Sequence, residues 1–125
     1  MNLNQVTIYS AKPNETVEFY KKLGLKLIVN SLPQYARLEC PDGESTLSVN
    51  IAAETEPNHS IVLYFECGGL DEKVTELKQN GLKFEQDPTD HDWLWREAYL
   101  RDPNGNKVCL FYAGENRKNP PWRVG

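Results

Sequence analysis

The segment 98-AYLRDPNGNKVCLFY-112 predicts two β-strands joined by a tight turn. Pro103 restrains its own backbone and Gly105 is free to take a positive φ, so the Pro-Asn-Gly sequence is typical of a hairpin turn. On the second strand, Val108, Leu110 and Tyr112 alternate with Lys107, Cys109 and Phe111. Because successive side chains of a strand point to opposite faces, the apolar set is predicted to pack in a core and the other set to face away from it.

An earlier part of the chain repeats this pattern. The segment 35-YARLECPDG-43 leads into 45-STLSVNIA-52, as 97-EAYLRDPNG-105 leads into 106-NKVCLFYA-113. Likewise, 24-GLKL-27 matches 81-GLKF-84, which lies 57 positions later. Self-similarity at one spacing indicates that the chain consists of two copies of one unit.

Each copy predicts the same order of elements. A strand (6–10; 61–66) precedes a helix (14–24; 70–81), and a second strand (25–29; 82–86) precedes the hairpin. Hydrophobic residues recur at helical spacing in both helices. We therefore predict a single α+β domain of two β-α-β-β-β modules, with module one at about 4–53, module two at about 60–113 and a C-terminal tail at 114–125.

The composition is that of an ordinary globular chain. The 125 residues are 39% hydrophobic and 26% charged, which is enough apolar material for one core. The net charge is −4 and the basic residues are scattered, so neither nucleic acid nor a membrane surface is predicted as a partner. No apolar run approaches the ~20 residues that a membrane span requires.

The termini and cysteines point to the cytoplasm. The segment 1-MNLNQVTIYS-10 has neither a basic start nor an apolar stretch, so we expect no secretion signal. Cys40, Cys67 and Cys109 are odd in number and lack CxxC spacing, which favours neither a disulfide framework nor a closed zinc site. A reduced, cytoplasmic chain is the expectation.

Strand alternation divides each sheet into two faces. The row predicted to pack under the helices consists of Val6, Ile8, Leu47, Val49, Ile51, Ile61, Leu63, Phe65, Ala98, Leu100, Val108, Leu110 and Tyr112. The opposite side, called here the second face, consists of Gln5, Thr7, Tyr9, Thr46, Ser48 and Asn50 in module one and Val62, Tyr64, Glu66, Trp95, Glu97, Tyr99, Lys107, Cys109 and Phe111 in module two. Mixed aromatic and polar groups are typical of a concave ligand pocket, but the pattern fits equally well with the solvated side of an antiparallel sheet.

Three segments together resemble one known superfamily. The segments 15-ETVEFYKKLGL-25, 60-SIVLYFECGGLDE-72 and 100-LRDPNGNKVCLFY-112 are similar to the vicinal oxygen chelate proteins, which include glyoxalase I, bleomycin-resistance proteins, fosfomycin-resistance proteins and extradiol dioxygenases. The resemblance covers about residues 4–113. It implies that the modules form an incomplete barrel around a ligand cavity and that the chain forms a homodimer.

The resemblance also implies where a metal would bind, and the residues there are unsuitable. Metal enzymes of this superfamily use a His at the start of each half and a Glu on the last strand, and glyoxalase-type members add another Glu. These positions match Gln5, Val62, Cys109 and, near the fourth, Ser48. Val62 has no donor atom, and a lone Cys on a strand is usually a small buried filler. We therefore predict no cofactor and no use of the usual metal site.

A divalent metal held by rearranged ligands is the minority alternative. Its candidate ligands are His59, His91, Glu66 and Glu97. His59 would need a shift of strand register to reach the sheet face. His91 lies in 87-DPTDHDWLW-95, which we expect to be a turn-rich linker near the cavity mouth, and the simpler expectation for both histidines is an exposed loop position.

These observations predict a small-molecule-binding protein that holds an organic metabolite or drug against the second face without the usual metal. The predicted contacts are Gln5, Thr7, Ser48, Asn50, Val62, Tyr64, Glu66, Trp95, Cys109 and Phe111. The alternative is a glyoxalase-like lyase or a dioxygenase, either metal-dependent or metal-free with Glu97 as general base and Tyr99 as donor. The positions that match these two lie in the substrate cavity of the fosfomycin-resistance branch. The structural alternative for Glu97 is a surface salt bridge with Arg101 or Lys107.

Overall fold

A computed structural model describes residues 1–53 and 61–125. One compact unit comprises 1–53 with Asp102–Gly105, and a second comprises 61–101 with 106–125. The elements are β1 (Gln5–Ser10), α1 (Pro13–Leu23), β2 (Lys26–Ser31), β3 (Tyr35–Glu39), β4 (Thr46–Ile51), β5 (Val62–Glu66), α2 (Leu70–Gln79), β6 (Phe84–Asp90), β7 (Arg96–Arg101), β8 (Lys107–Tyr112) and a short 3-10 helix, Gly114–Arg117. This order confirms the predicted α+β fold of two β-α-β-β-β modules.

Each unit contains a four-stranded sheet of the same topology. The strand order is β1-β4-β3-β2 in the first unit and β5-β8-β7-β6 in the second. In both, the first and last strands of the module pair in parallel and the remaining pairs are antiparallel. The module's last strand therefore lies inside its sheet, where both of its faces can be covered.

Helix α1 begins and ends at residues that suit those positions. Pro13 occupies the first turn, where a missing N–H costs nothing. The hydroxyl of Ser10 bonds to that of Thr16 (2.9 Å) and accepts the N–H of Lys12 (2.9 Å), so the buried start of the helix has its polar groups paired. Gly24 ends the helix with φ of 119°, a conformation that favours glycine. The buried face of α1 packs on β3 and β4.

Helix α2 packs on β6 and β8 through Leu70, Val74 and Leu77, all of which are buried. Its acidic first turn contains Asp71, which complements the positive end of the helix dipole. Among the described residues, we find no helix with the length and apolar character that a membrane crossing demands.

The apolar rows are buried in their middle and open at their ends. Leu47, Val49, Leu63, Val108 and Leu110 are at most 8% exposed, as predicted. Three residues at or next to strand ends are instead about half exposed, because the helices do not reach over them: Ile51, Ile61 and Tyr112. The prediction that these three pack in the core was wrong.

The turn that follows β7 contributes to the core of the first unit. Asp102 accepts the N–H of Asn104 (2.9 Å) and a hydrogen bond from the Tyr20 hydroxyl to its Oδ2 (2.8 Å). Tyr20 is completely buried and Asp102 is 4% exposed. Burial, followed by the negative charge of Asp102, raises the pKa of Tyr20 well above its ordinary value. Tyr20 therefore stays a hydrogen-bond donor.

Candidate functional site

The second face of the β5–β8 sheet brings together the module-two residues that the sequence placed there. Cys109 lies between Tyr64 and Tyr99 across the three neighbouring strands. Phe111 lies in the same way between Glu66 and Glu97. Polar, aromatic and sulfur-containing side chains thus share one surface.

The centre of this face is buried. Glu97 is 2% exposed, Cys109 is not exposed at all and Phe111 is 3% exposed. Tyr64, at the edge strand, is half exposed. The alternative that this is simply the solvated side of a sheet was therefore wrong for β7 and β8, which are inner strands with both faces covered.

Three aromatic rings form what we call the aromatic cluster: Tyr64, Trp95 and Phe111. The rings of Trp95 and Phe111 stack with centroids 4.5 Å apart and planes 13° apart. Tyr64 meets both rings edge-on, at 5.9 Å from Trp95 and 5.7 Å from Phe111. Val62, Trp95 and Tyr99 pack against the buried group of Cys109, Phe111 and Ala113. The aromatic cluster thus extends from the buried Phe111 to the half-exposed Tyr64.

Beside the aromatic cluster lies a buried carboxylate with two aromatic donors. The Trp93 indole Nε1–H donates to Glu97 Oε2 at 2.7 Å, and the Tyr99 hydroxyl donates to Oε1. His91 Nε2 is 3.7 Å from Oε1. Glu97, Trp93, Tyr99 and His91 are called here the carboxylate cluster. The expectation of a surface salt bridge for Glu97 was wrong, because its carboxylate is buried among aromatic groups instead.

The segment that carries His91 and Trp93 differs from the expected linker. β6 continues through Asp90, so only a five-residue loop, 91–95, separates it from β7. The His91 N–H bonds to Trp95 O (2.9 Å) and the Leu94 N–H to His91 O (3.0 Å). Leu94 has φ of 67°, in the left-handed region. This loop folds Trp93 back over the sheet.

His91 is not the exposed loop residue that was expected. Its side chain is 21% exposed, and its ring lies parallel to that of Trp93, 4.3 Å away. Its Nε2 is also 3.2 Å from Gln86 Nε2. The sequence analysis considered His91 as a metal ligand or as an exposed loop residue near the cavity mouth, and it did not assign Trp93 to the site. His59 lies outside the described residues.

The thiol and the two phenols of this face, Cys109, Tyr64 and Tyr99, have raised pKa values and keep their protons at neutral pH. Burial, followed by the negative charge of Glu97, raises the pKa of the Cys109 thiol to about 12. Burial and the hydrogen bond to Glu97 raise the pKa of Tyr99, although Lys107 Nζ lies 4.0 Å from its ring centre. Burial also raises the pKa of Tyr64. These groups can donate protons in hydrogen bonds and do not act as anions.

Glu66 has a separate role from the rest of the face. Its Oε2 accepts the N–H groups of Ala113 (2.9 Å) and Gly114 (3.0 Å), and Arg117 lies 3.6 Å from Oε1. Glu66 thus holds the start of the 3-10 helix to β5. The contacts of the Glu66 carboxylate therefore stabilise the fold.

The first unit has its own second face on the β1–β4 sheet. Thr7 lies opposite Ser48, and Asn50 lies two residues along the same strand. Gln5 Oε1 accepts a hydrogen bond from Thr46 (3.0 Å), at the exposed end of the sheet. All four predicted contact residues of module one therefore share this face.

Two further residues of this face were missed by the sequence analysis. The Tyr35 hydroxyl is 2.7 Å from Ser48 Oγ and accepts a hydrogen bond from Arg37 Nε (2.9 Å). The hydrogen bond with Ser48, together with Arg37, lowers the pKa of Tyr35. The missed signal was the alternation of β3, which puts Tyr35 and Arg37 on the same side as Ser48.

The residues at the family's metal positions do not fit a metal ion. Cys109 is a completely buried thiol at the position where the resemblance implies a carboxylate. Val62 has no donor, and the Ser48 hydroxyl is already bonded to Tyr35. Across residues 1–53 and 61–125, no group of three or more His, Cys, Asp or Glu side chains is arranged to hold an ion.

A cleft lies on the other side of the second unit. It has a volume of about 420 Å³ and lies at the start of α2, where Leu70, Arg96 and Tyr112 line it. Arg96 is bonded to Asp71 (2.9 and 3.0 Å) and Asp90 (3.1 Å). The charge that could attract an anion there is thus already neutralised.

One sequence profile of a known superfamily matches most of the chain. The sequence profile described as Glyoxalase/Bleomycin resistance protein/Dioxygenase superfamily matches residues 2–110. The chain is 27% identical over 128 residues to YraH, an uncharacterized protein of Bacillus subtilis, with 89% of this chain and 98% of YraH covered.

Solved structures share the fold. A glyoxalase/bleomycin resistance protein/dioxygenase from Nocardioides superposes with a TM-score of 0.79 at 22% identity, covering 100% of this chain and 90% of the other. A lactoylglutathione lyase from Agrobacterium tumefaciens gives a TM-score of 0.73 at 17% identity, covering 98% and 97%. At these identities the likeness extends to the fold alone.

Proposed function

Since the chain belongs to the Glyoxalase/Bleomycin resistance protein/Dioxygenase superfamily, as its sequence resemblance predicted, we propose that it binds a small organic molecule on the second face without the usual metal. The observation that carries this proposal is the aromatic cluster, in which the half-exposed Tyr64 stands edge-on to the stacked rings of Trp95 and Phe111. Ligand sites are typically apolar surfaces with a few placed polar groups, and the neighbouring carboxylate cluster supplies such groups.

The chemistry of this surface favours a ligand with a flat aromatic part. A ring placed on Tyr64 would gain about 0.5–1.5 kcal/mol beyond its burial from each well-oriented aromatic contact. The protonated hydroxyl of Tyr64 would donate a hydrogen bond to a ligand oxygen or nitrogen. On the first unit's own second face, Gln5, Thr7, Ser48 and Asn50 are proposed as ligand contacts through their polar groups.

The test is a binding titration followed by tryptophan fluorescence, since Trp95 belongs to the cluster. The probes are metal-free bleomycin and a panel of aromatic metabolites. Tyr64→Ala should weaken a saturable binder by about 2- to 10-fold, because it removes one aromatic contact. Tyr112→Ala is the matched control, since Tyr112 is equally exposed but lies on the opposite face of the same sheet. Equal losses in the two variants, or no saturable binder in the panel, would reject the proposal.

An enzymatic role is the second candidate, and the carboxylate cluster favours it. A buried Glu97 bonded to Tyr99 has the components of an acid–base pair. Both oxygens of Glu97 already accept hydrogen bonds, however, so a substrate proton would have to replace one of those donors. Formation of S-lactoylglutathione from glutathione and methylglyoxal tests a lyase of this kind, and Glu97→Gln should abolish it.

Metal content separates the metal-dependent form of this candidate from the metal-free binding function. Elemental analysis of untagged protein, before and after reconstitution with Zn, Ni, Mn and Fe(II), measures bound metal directly. Near-stoichiometric metal would support a lyase or dioxygenase with rearranged ligands and would contradict the metal-free proposal. We further propose that the protein is cytoplasmic and forms a homodimer. Light scattering during gel filtration tests the homodimer, whose mass should be twice the 14.3 kDa of the chain.

A further inference from the structure

Trp93 contacts the buried carboxylate of Glu97 and the ring of His91 in the way that a bound ligand would. Its indole Nε1–H donates to Glu97 Oε2 at 2.7 Å. Its ring lies flat against the His91 ring, with centroids 4.3 Å apart and planes 8° apart. A planar ring clamped by stacking on one side and by a hydrogen bond at its edge is the arrangement expected of a bound heterocycle.

The Trp93 side chain is also accessible, unlike the carboxylate that it covers. Trp93 is 46% exposed, whereas Glu97 is 2% exposed. The indole therefore lies between solvent and the carboxylate. Removal of this one side chain would open Glu97 Oε2 and one face of His91, while Tyr99 would still hold Oε1.

The loop that carries Trp93 is held in a strained conformation. Leu94 has φ of 67°, a left-handed conformation that side chains with a Cβ rarely adopt. Release of this loop would relieve that strain and offset part of the cost of moving Trp93. The loop spans the five residues 91–95 between the paired Asp90 and Arg96, so Trp93 can move without rearrangement of the sheet.

We infer that Glu97 and His91 form a subsite for a planar aromatic heterocycle that carries an N–H donor, and that Trp93 is a built-in occupant which such a ligand displaces. This inference rests on the proposed binding function and names the class of ligand. Tyr99 connects the two surfaces, since it donates to Glu97 and packs against the buried group that contains Phe111 of the aromatic cluster. A ligand that reaches both would place its N–H on Glu97 and the rest of its surface against Tyr64 and Trp95.

The experiment uses indole and benzofuran, which have nearly the same shape and differ in the N–H group. Calorimetric titration of Trp93→Ala should show indole binding at least about tenfold more tightly than benzofuran, because only indole donates a hydrogen bond to the carboxylate. The same variant should bind indole at least about tenfold more tightly than the unmodified protein, in which the tethered Trp93 competes at high effective concentration.

Two further variants locate the effect. In Trp93→Ala combined with Glu97→Gln, the preference for indole over benzofuran should fall to a few-fold or less. Trp122→Ala is the matched control, since Trp122 is a tryptophan of similar exposure in the C-terminal tail, and its removal should leave indole affinity unchanged. Equal affinity for indole and benzofuran in Trp93→Ala, or no gain over the unmodified protein, would overturn the inference.

A second measurement applies even if Trp93→Ala fails to fold. In ¹⁵N-labelled unmodified protein, the Trp93 indole N–H resonance, assigned with Trp93→Phe, should move on saturation with indole and stay in place with benzofuran. A resonance that is unmoved by both overturns the inference. If bleomycin or a panel compound still binds in a Tyr64-dependent manner, the proposed function stands and only the Trp93 displacement is rejected.

Discussion

Tyr20→Phe tests the buried hydrogen bond that joins α1 to the turn after β7. The substitution removes only the hydroxyl that donates to Asp102 Oδ2 at 2.8 Å, and it leaves the ring in place. A hydrogen bond to a charged group contributes about 1.5–3 kcal/mol, and the acceptor here is 4% exposed, so water cannot readily replace the lost donor. The expected loss in the free energy of unfolding is therefore about 1.5–3 kcal/mol.

The same loss can be expressed as a melting temperature. Unfolding entropy near 60 °C is about 2.1 cal/mol/K per residue, or about 260 cal/mol/K for a chain of 125 residues. A loss of about 1.5–3 kcal/mol then lowers the melting temperature by about 6–11 °C. Urea unfolding monitored by circular dichroism gives the free energy, and a thermal melt gives the temperature.

Tyr9→Phe is the matched control for this prediction. Tyr9 also belongs to the first unit but is 56% exposed, so loss of its hydroxyl should change stability by less than about 0.5 kcal/mol. If Tyr20→Phe were no more destabilising than Tyr9→Phe, the hydrogen bond to Asp102 would not contribute as argued. Combination with Asp102→Asn should give a non-additive effect, because the two side chains are in contact.

Three further outcomes are expected. Leu94→Gly should raise the free energy of unfolding by about 0.5–1 kcal/mol, because glycine adopts a φ of 67° without the steric cost that leucine has. An unchanged midpoint of urea unfolding would contradict strain in the loop. Burial raises the pKa of the Cys109 thiol to about 12 in the folded chain, against 9.0 for the unfolded thiol. The contribution of Cys109 to stability should therefore be constant below pH 9 and fall between pH 9 and 12, so stability measured by urea titration should fall less steeply over this range in Cys109→Ala. Iodoacetamide at pH 8 should label Cys40 and Cys67 before Cys109, because Cys109 alone of the three is fully buried; mass spectrometry of the labelled peptides reports the order.

The fold was predictable because its signals are local. The alternation of Lys107 to Tyr112 defines the two faces of β8 without reference to any other strand. Gly43 and Gly105 have φ of 75° and 84°, as the Pro-Asp-Gly and Pro-Asn-Gly turns predict. Repetition of these local signals at one spacing is what identified two modules of the same topology.

The candidate site was predictable only in part. Alternation placed Tyr64, Glu97 and Cys109 on one surface, but it did not distinguish a buried surface from a solvated one. The burial of Glu97 depends on Trp93, which reaches it from a loop rather than from a strand. That loop turns at Leu94, which has a left-handed conformation. A glycine at this position would have predicted such a conformation from the sequence, whereas a leucine does not.

By itself, therefore, the sequence determined the elements, their order and the face of the sheet on which each strand residue lies, since these follow from neighbours along the chain. Only the tertiary structure decided which polar groups of that face lose contact with water and which donors they meet. Trp93 and His91 belong to the carboxylate cluster because the five-residue loop 91–95 folds back onto β7. Such a contact depends on the path of the backbone in space, which cannot be predicted from the periodicity of side chains along the chain.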